Sequence, residues 1–141
     1  MKITLGIGCD RGTPASTLHD ALAQALALAQ ATPADVVAVA SITLKADEAG
    51  LLTFAAQHGW AIHFYTPAQL AAVAVPNPSE TVRRHTGTPS VSEAAALLAA
   101  AAATAAASGG AAGAAQLLVE KHNWRGADGR HATLSIARMP L

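Results

Sequence analysis

The first fourteen residues, MKITLGIGCDRGTP, constrain the fold of this chain more than any other stretch. The alternation of Ile3, Leu5 and Ile7 indicates a β-strand. A glycine-punctuated turn from Gly6 to Gly12 follows, and Thr13-Pro14 suits a helix start, because threonine caps helices well and proline is favoured at the first helical position. A strand, a glycine turn and a helix N-terminus in this order predict an anion-binding site at the carboxyl edge of a sheet.

The glycine turn departs from the fingerprint of dinucleotide-binding proteins. Its third glycine falls at position 12 rather than 11, and no acidic residue ends the second predicted strand, where a ribose would need one. NAD binding is therefore disfavoured. A nucleotide or another phosphate ligand held by the Gly8–Gly12 turn remains an alternative.

The rest of the chain alternates predicted helices and strands. We expect helices over Pro14–Ala31 and Glu48–His58, a short helix after Thr66-Pro67, a helical turn over 82–85, a long Ala-rich helix from Ser90 to Ala107, strands over Val36–Ala40 and Trp60–Tyr65, and a hairpin of Gln116–Lys121 with His131–Arg138. Ser90 and Glu93 have the spacing of a capping box, and residues 108–113 have the composition of a flexible linker. These elements predict an α/β fold: a three-layer α/β/α sandwich with a mixed, partly parallel sheet and a C-terminal β-hairpin.

Length and charge exclude several classes of protein. A chain of 141 residues suits a single domain over 1–141. Nine basic and nine acidic residues give no net charge, so neither nucleic acid nor an anionic membrane surface is indicated as a partner. The apolar run from Ala94 to Ala103 is too short to span a membrane, and the N-terminus enters a strand without an apolar leader. We expect a soluble, cytoplasmic protein.

Three segments should meet at the carboxyl edge of the sheet, where open α/β sheets bind their ligands. They are the Gly8–Gly12 turn with Arg11, the corner Leu44–Glu48 with Lys45, and the segment Asn77–Thr88 with Arg83, Arg84 and His85. Helix N-termini and up to four cations around one crevice would suit a ligand with several negative charges. For Arg83 and Arg84 alone, a solvated surface pair is the simpler interpretation.

Single residues give less specific chemical signals. Cys9, the only cysteine, lies near a predicted helix N-terminus, which would lower the pKa of its thiol, and His85 is a candidate base for it. The alternative is that Cys9 merely fills a tight turn. The six histidines lack metal-ligand spacing, so no metal site is expected. Asp47 and Glu48 are adjacent, which suits a helix start better than an acid–base dyad.

Four ordered motifs carry a resemblance to a known family. They are Gly6-Ile7-Gly8-Cys9-x-Arg11-Gly12, Ile42-x-Leu44-Lys45-Ala46-Asp47-Glu48-x-Gly50-Leu51, Val75-Pro76-Asn77-Pro78-Ser79 and Gly87-Thr88-Pro89-Ser90-Val91-x-Glu93-Ala94-Ala95-Ala96. Together they resemble the CobE/CbiG C-terminal domain family of cobalamin (vitamin B12) biosynthesis. The resemblance runs from Ile3 to Ile136.

The resemblance implies a ligand and two classes of function. The ligand would be a precorrin or another corrinoid intermediate, an apolar macrocycle fringed with carboxylates, and other cobalamin-pathway enzymes are implied as partners. No cofactor is expected, since any cobalt would arrive inside the macrocycle. CbiG is a longer protein that opens a δ-lactone on cobalt-precorrin-5A and releases acetaldehyde, so its activity does not transfer directly to its C-terminal domain.

One hypothesis is therefore a carrier or accessory protein that holds an unstable precorrin. The other is an enzyme acting on the precorrin periphery, with Lys45, Asp47 or His85 as the acid or base. A purely structural role within a pathway complex is a third reading. The motifs and the crevice together predict these ligand contacts: Gly8, Cys9, Arg11, Gly12, Thr13, Lys45, Ala46, Asp47, Glu48, Asn77, Ser79, Gly87 and Thr88.

Overall fold

The computed structural model describes residues 1–108 and 116–139. Its strands are β1 Ile3–Cys9, β2 Val36–Ile42, β3 Ile62–Tyr65, β4 Gln116–Arg125 and β5 His131–Arg138. Its helices are α1 Ala15–Ala29, α2 Ala49–His58, α3 Pro67–Ala71, α4 Glu80–Thr86 and α5 Val91–Ser108, and short 3-10 turns lie at Pro33–Asp35 and Thr43–Lys45. Apart from its first residue, the linker predicted over 108–113 lies outside the described residues.

The strands in this part of the chain form one mixed sheet in the order β3-β2-β1-β5-β4. β1, β2 and β3 run parallel, with Leu5 of β1 opposite Val39 of β2. β5 runs antiparallel to β1 and places Thr133 opposite Gly8, and β4 pairs antiparallel with β5. The predicted mixed sheet and C-terminal hairpin are thus confirmed, and the carboxyl end of β1 lies beside the start of β5.

Alternation along β1 separates the two sides of the sheet. Its apolar residues, among them Leu5 and Ile7, are buried and pack against α1 and α2. Thr4 and Gly6 face α5 instead, and the Thr4 hydroxyl donates to the carbonyl of Ala96 at 2.8 Å. Helices α1 and α2 therefore cover one face and α5 with α3 covers the other, which confirms the predicted three-layer α/β/α arrangement.

Close packing at Gly6 positions the start of α5. A Cβ atom at Gly6 would lie 1.9 Å from the Ser92 carbonyl oxygen, so any side chain here would push α5 away from the sheet. The Ala-rich sequence of α5 suits this approach, because Ala95 and Ala96 bury fully without needing a wide gap. The start of α5 is consequently held against the carboxyl half of β1.

Two predicted helix caps are wrong. Pro14, not Thr13, is the N-cap of α1, and the Thr13 hydroxyl donates to the carbonyl of Asp10 at 2.7 Å instead. At α5, the Ser90 hydroxyl has no hydrogen-bond partner among the described residues. The Glu93 carboxylate, which should have completed the capping box, accepts hydrogen bonds from Asn77.

Other element ends differ from the prediction by a few residues. Helix α1 stops before the predicted Ala31, because Gln30 adopts a left-handed conformation with φ of 54°. Gly59 ends α2 as predicted, with φ of 72°. Strand β4 continues past the predicted Lys121 to Arg125, which carries its end to the same edge as the end of β1.

Within residues 1–108 and 116–139, no single helix combines the length and apolarity needed to cross a membrane. Helix α4 and the Val91–Ala106 part of α5 reach that threshold only when taken together, across a bend of 73°.

Candidate ligand-binding cleft

A cleft of 710 Å³ opens where β1 ends, beneath α4 and beside the first residues of α5. This volume lies within the usual range of small-molecule sites. Apolar side chains form part of its wall: Ile42, Leu44, Val82 and Val91. The other lining residues are Gly8, Cys9, Asp10, Arg11, Lys45, Thr81, His85, Thr86, Ser92, Lys121, Asn123, His131 and Thr133.

Two lysines bring positive charge to the cleft from different elements. Lys45 ends the 3-10 turn after β2, and among the described residues its ammonium group has no hydrogen bond or ion pair. Lys121 comes from β4, and its Nζ donates to the carbonyl oxygen of Asn77 at 3.3 Å. Neither charge is neutralised by a carboxylate within salt-bridge distance in the described part of the chain, so both can interact with an anionic ligand.

Arg11 also lines the cleft, but its guanidinium group is already engaged. Its Nη1 lies 2.8 Å from Asp47 and 3.0 Å from Glu48, and its Nη2 donates to the carbonyl of Leu44. The carboxylates raise the pKa of Arg11, and the hydrogen bond from Arg11 holds the pKa of Asp47 below its usual value. Arg11 therefore fixes the corner of the cleft instead of offering a free charge.

The glycine turn binds a carboxylate of its own chain. The buried Glu48 carboxylate accepts the N–H of Gly12 at 2.8 Å, and a left-handed φ of 79° at Gly12 shapes this turn. An external anion would have to displace Glu48 to reach that amide. This contact occupies one donor of the predicted anion site at the Gly8–Gly12 turn with a carboxylate of the same chain.

Two histidines in the cleft are oriented through their Nδ1 atoms. The Nδ1 of His85 lies 2.7 Å from the carbonyl oxygen of Thr81, which can only accept, so Nδ1 carries the proton. The Nδ1 of His131 lies 2.7 Å from the Oδ1 of Asn123. In the neutral form each ring then keeps its lone pair on Nε2, the state required of a general base.

Cys9 lies in the cleft, but the pKa of its thiol is raised, whereas the sequence predicted a lowered value. Burial raises the pKa of the Cys9 thiol to about 11, and this effect outweighs the lowering by the nearby Lys45. The thiol is also not hydrogen-bonded to His85 in the described structure. Cys9 is therefore protonated at neutral pH and unsuited to act as a nucleophile.

Of the residues predicted from the sequence, Gly8, Cys9, Arg11, Lys45 and His85 line the cleft. The others lie outside its lining, namely Gly12, Thr13, Ala46, Asp47, Glu48, Asn77, Ser79, Gly87 and Thr88, as do Arg83 and Arg84. Two of these residues, Ser79 and Gly87, fix the ends of helix α4, which lines the cleft. The Ser79 hydroxyl caps α4 by accepting the N–H of Val82 at 3.2 Å, and Gly87 ends α4 with φ of 81°.

Sequence reasoning missed the contribution of the C-terminal hairpin. Lys121 and Asn123 of β4 and His131 and Thr133 of β5 form one wall of the cleft. The predicted hairpin could have indicated these residues, because the turn end of a hairpin can lie beside the carboxyl end of a parallel strand. What the sequence did not show was that β5 pairs with β1, with Ala132 opposite Cys9.

The fold and the cleft define a three-layer α/β domain with a cation-bearing cleft at the carboxyl edge of a mixed sheet. This chain belongs to the family described as Cobalamin synthesis G C-terminus, which matches residues 3–137. It is a cobalamin-biosynthesis protein of the CobE/CbiG C-terminal kind, as its motifs predicted.

Individual relatives agree with this assignment. The chain is similar to Protein CobE of a Sinorhizobium species, with 39% identity over 95 residues, and to the cobalt-precorrin-5A hydrolase of Priestia megaterium, with 39% identity over 93 residues. Each match covers 66% of this chain, but only 62% of that CobE and 25% of the hydrolase. The crystal structure of a CobE from the cobalamin pathway superimposes with a TM-score of 0.76 at 36% identity, covering 97% of this chain and 89% of that one.

Proposed function

We propose that the cleft binds a precorrin-type tetrapyrrole and that the protein acts as a carrier or accessory protein of the corrin-ring pathway. The observation that carries this proposal is the pairing of two lysines, Lys45 and Lys121, with an apolar wall in one open cleft. A precorrin combines an apolar macrocycle with peripheral acetate and propionate groups. The cleft offers a counterpart for both chemical features.

The energetics require several contacts at once. An exposed lysine–carboxylate contact contributes up to about 1 kcal/mol, because water screens it. Burial of the macrocycle against Leu44, Val82 and Val91 adds about 25 cal/mol for each Å² of apolar surface removed from water. The ring therefore supplies most of the affinity, and the lysines select for its carboxylates and set its orientation.

A carrier role is favoured over catalysis by the state of the predicted chemical groups. Asp47 lies outside the cleft lining in an ion pair with Arg11, and the pKa of its carboxyl is lowered, so it is a poor proton donor. Cys9 is protonated by burial. Lys45 lines the cleft without an ion pair among the described residues, so it is available to bind a carboxylate.

The test is anaerobic incubation of the full chain with isolated precorrin intermediates, followed by gel filtration with absorbance and mass detection. We expect an unchanged pigment to co-elute with the protein. Lys45→Glu and Lys121→Glu should each weaken binding by about 10-fold or more, since a favourable contact becomes a repulsive one.

Lys2→Glu is the matched control. Lys2 is exposed and precedes β1, at the opposite end of that strand from the cleft, so reversal of its charge should leave binding unchanged. Equal weakening in all three variants would show a non-specific charge effect, and unchanged affinity in both cleft variants would refute the site.

A hydrolase-like step on the precorrin periphery is the second candidate function, and the geometry of His85 favours it. The Nδ1 of His85 donates to the Thr81 carbonyl, so the neutral ring keeps its lone pair on Nε2, and His85 lines the cleft. The relative from Priestia megaterium is described as a cobalt-precorrin-5A hydrolase. In the same incubation, a changed pigment mass that is lost in His85→Gln while binding persists would establish this function over the carrier role.

A further inference from the structure

We infer that the N-terminus of α5 is an anion subsite, where the Ser90 hydroxyl and the first N–H groups of the helix bind one carboxylate of the ligand. The inference rests on the proposed function for the identity of that ligand, a carboxylate-bearing tetrapyrrole. It adds a hydrogen-bonding contact that neither lysine provides. Four observations support it.

Two hydroxyl groups next to the helix start are buried without a partner. Thr88 and Ser90 are both 0% exposed, and neither side-chain oxygen has a hydrogen-bond partner among the described residues. Leaving a buried hydroxyl unsatisfied costs free energy, so such groups are rare in native proteins. Ser90 directly precedes Val91, the first residue of α5, which is the usual position of a residue that caps a helix.

The expected internal caps of α5 are missing. The first N–H groups of an α-helix have no acceptor within the helix and rely on a cap, water or a ligand. The Ser90 hydroxyl does not serve them, and both oxygens of Glu93 are engaged by Asn77, at 3.3 Å from its N–H and 2.7 Å from its Nδ2. A helix of 18 residues also places a positive partial charge at this end.

The cleft extends to this helix terminus. Val91 and Ser92, the first two residues of α5, belong to its lining. The Ser92 hydroxyl accepts a hydrogen bond from the Ser135 hydroxyl at 2.9 Å, which fixes its oxygen towards the sheet, whereas the Ser90 hydroxyl has no partner among the described residues. Lys121 lines the same cleft and is held by the carbonyl of Asn77, which adds a positive charge on this side.

Helix α4, which lines the cleft beside this helix terminus, is lightly attached. None of its residues is buried. The segment that contains α4 lies between Ser79 and Pro89, and the N–H of Ser79 donates to the carbonyl of Pro89 at 2.9 Å. An outward movement of α4 would cost little buried surface, and we expect a movement of this kind to give a ligand in the cleft access to the Ser90 hydroxyl.

The experiment is an NMR titration of the ¹⁵N-labelled full chain with two probes, uroporphyrin, an air-stable tetrapyrrole carrying acetates and propionates, and sodium acetate. We expect saturable shifts of the Val91 and Ser92 amide signals with both probes. Ser90→Ala and Thr88→Val should lower uroporphyrin affinity by about 10-fold and abolish the acetate shifts, because a hydrogen bond to a charged group is lost. Thr104→Val is the control, since its hydroxyl donates to the Ala100 carbonyl in the distal part of the same helix.

The outcomes separate this inference from the proposed function. Uroporphyrin binding with unmoved Val91 and Ser92 amides, and normal affinity in both hydroxyl variants, would overturn the subsite and leave the cleft proposal intact. Acetate shifts that depend on Ser90, without any uroporphyrin binding, would support the subsite and count against the proposed function. A large loss of thermal stability in Ser90→Ala with unchanged binding would show that water satisfies the hydroxyl in the free protein, and would also overturn the inference.

Discussion

One oxygen of the buried Glu48 carboxylate accepts the backbone N–H of Gly12 at 2.8 Å, which joins the start of α2 to the turn after β1. The other oxygen receives the guanidinium of Arg11 at 3.0 Å. Glu48 thus holds in place the corner from which Arg11 and Lys45 enter the cleft. Its neighbour Asp47 contacts the same arginine from a side chain that is 83% exposed.

Replacement of these two carboxylates should therefore have different effects. Glu48→Ala removes a buried acceptor from a backbone N–H and should lower the free energy of unfolding by about 1–3 kcal/mol. Asp47→Ala should leave the free energy of unfolding unchanged, because water screens the Asp47–Arg11 ion pair and Arg11 still contacts Glu48. Urea denaturation of the two variants provides the comparison, and equal losses would contradict the assigned role of Glu48.

Two glycines of β1 should differ sharply in their tolerance of a methyl group. In Gly6→Ala the new Cβ would meet the Ser92 carbonyl oxygen at 1.9 Å, so α5 must shift and the free energy of unfolding should fall by more than about 3 kcal/mol. In Gly8→Ala the nearest atoms are those of Val91 at 3.8 Å, an ordinary contact, and the loss should stay below about 1 kcal/mol. A thermal-unfolding comparison is sufficient, and a stable Gly6→Ala protein would refute the close helix–sheet contact.

The Cys9 thiol should react slowly with alkylating reagents at neutral pH. A shift of its pKa from the ordinary 9.0 to about 11 reduces the thiolate fraction by about 100-fold. Lys45→Gln should slow alkylation further, since Lys45 lowers this pKa, whereas Lys2→Gln should not. The pH dependence of the iodoacetamide rate gives the value directly, and a midpoint at or below 9.0 would contradict burial as the dominant effect.

Acid should destabilise the protein through His58. Its Nε2 lies 3.2 Å from the Nδ1 of His19 and its ring stacks on Trp60, and burial together with His19 lowers the pKa of His58 below the ordinary 6.5. The unfolded chain then takes up the proton more readily, so this stability is complete above about pH 6.5 and is lost as the pH falls through the lowered value.

Denaturation midpoints between about pH 8 and pH 5 test this behaviour of the histidine pair. His58→Gln should flatten the acid side of the curve, because the group whose pKa changes on folding is gone. His63→Gln, at an exposed position on β3, controls for the loss of a histidine as such. An unchanged acid slope in His58→Gln would show that another group is responsible.

Local patterns predicted the elements of this fold well and their long-range partners poorly. The alternation in β1 and the glycine that ends α2 are local signals, and both were interpreted correctly. The capping box predicted from Ser90 and Glu93 does not form, because Asn77, sixteen positions before Glu93, donates a hydrogen bond to the Glu93 carboxylate. Spacing along a helix carries no information about a competitor of that kind.

For the same reason, the sequence predicted only some of the residues that line the cleft. Gly8, Lys45 and His85 follow from the rule that ligands bind at the carboxyl edge of a parallel sheet. Lys121 and His131 required knowledge that β5 pairs with β1, a contact between the two ends of the chain. The pKa of Cys9 was mispredicted because a nearby helix start is visible in the sequence, whereas the extent of burial is not.

The hydrogen bond between Ser79 and Pro89 has a consequence for how this domain can diversify. It joins the two ends of segment 80–88, whose helix α4 has no buried residue. We therefore expect changes in the length or sequence of α4 to leave the sheet and α5 in their positions. A change confined to α4 would therefore alter one wall of the cleft without rebuilding the sheet.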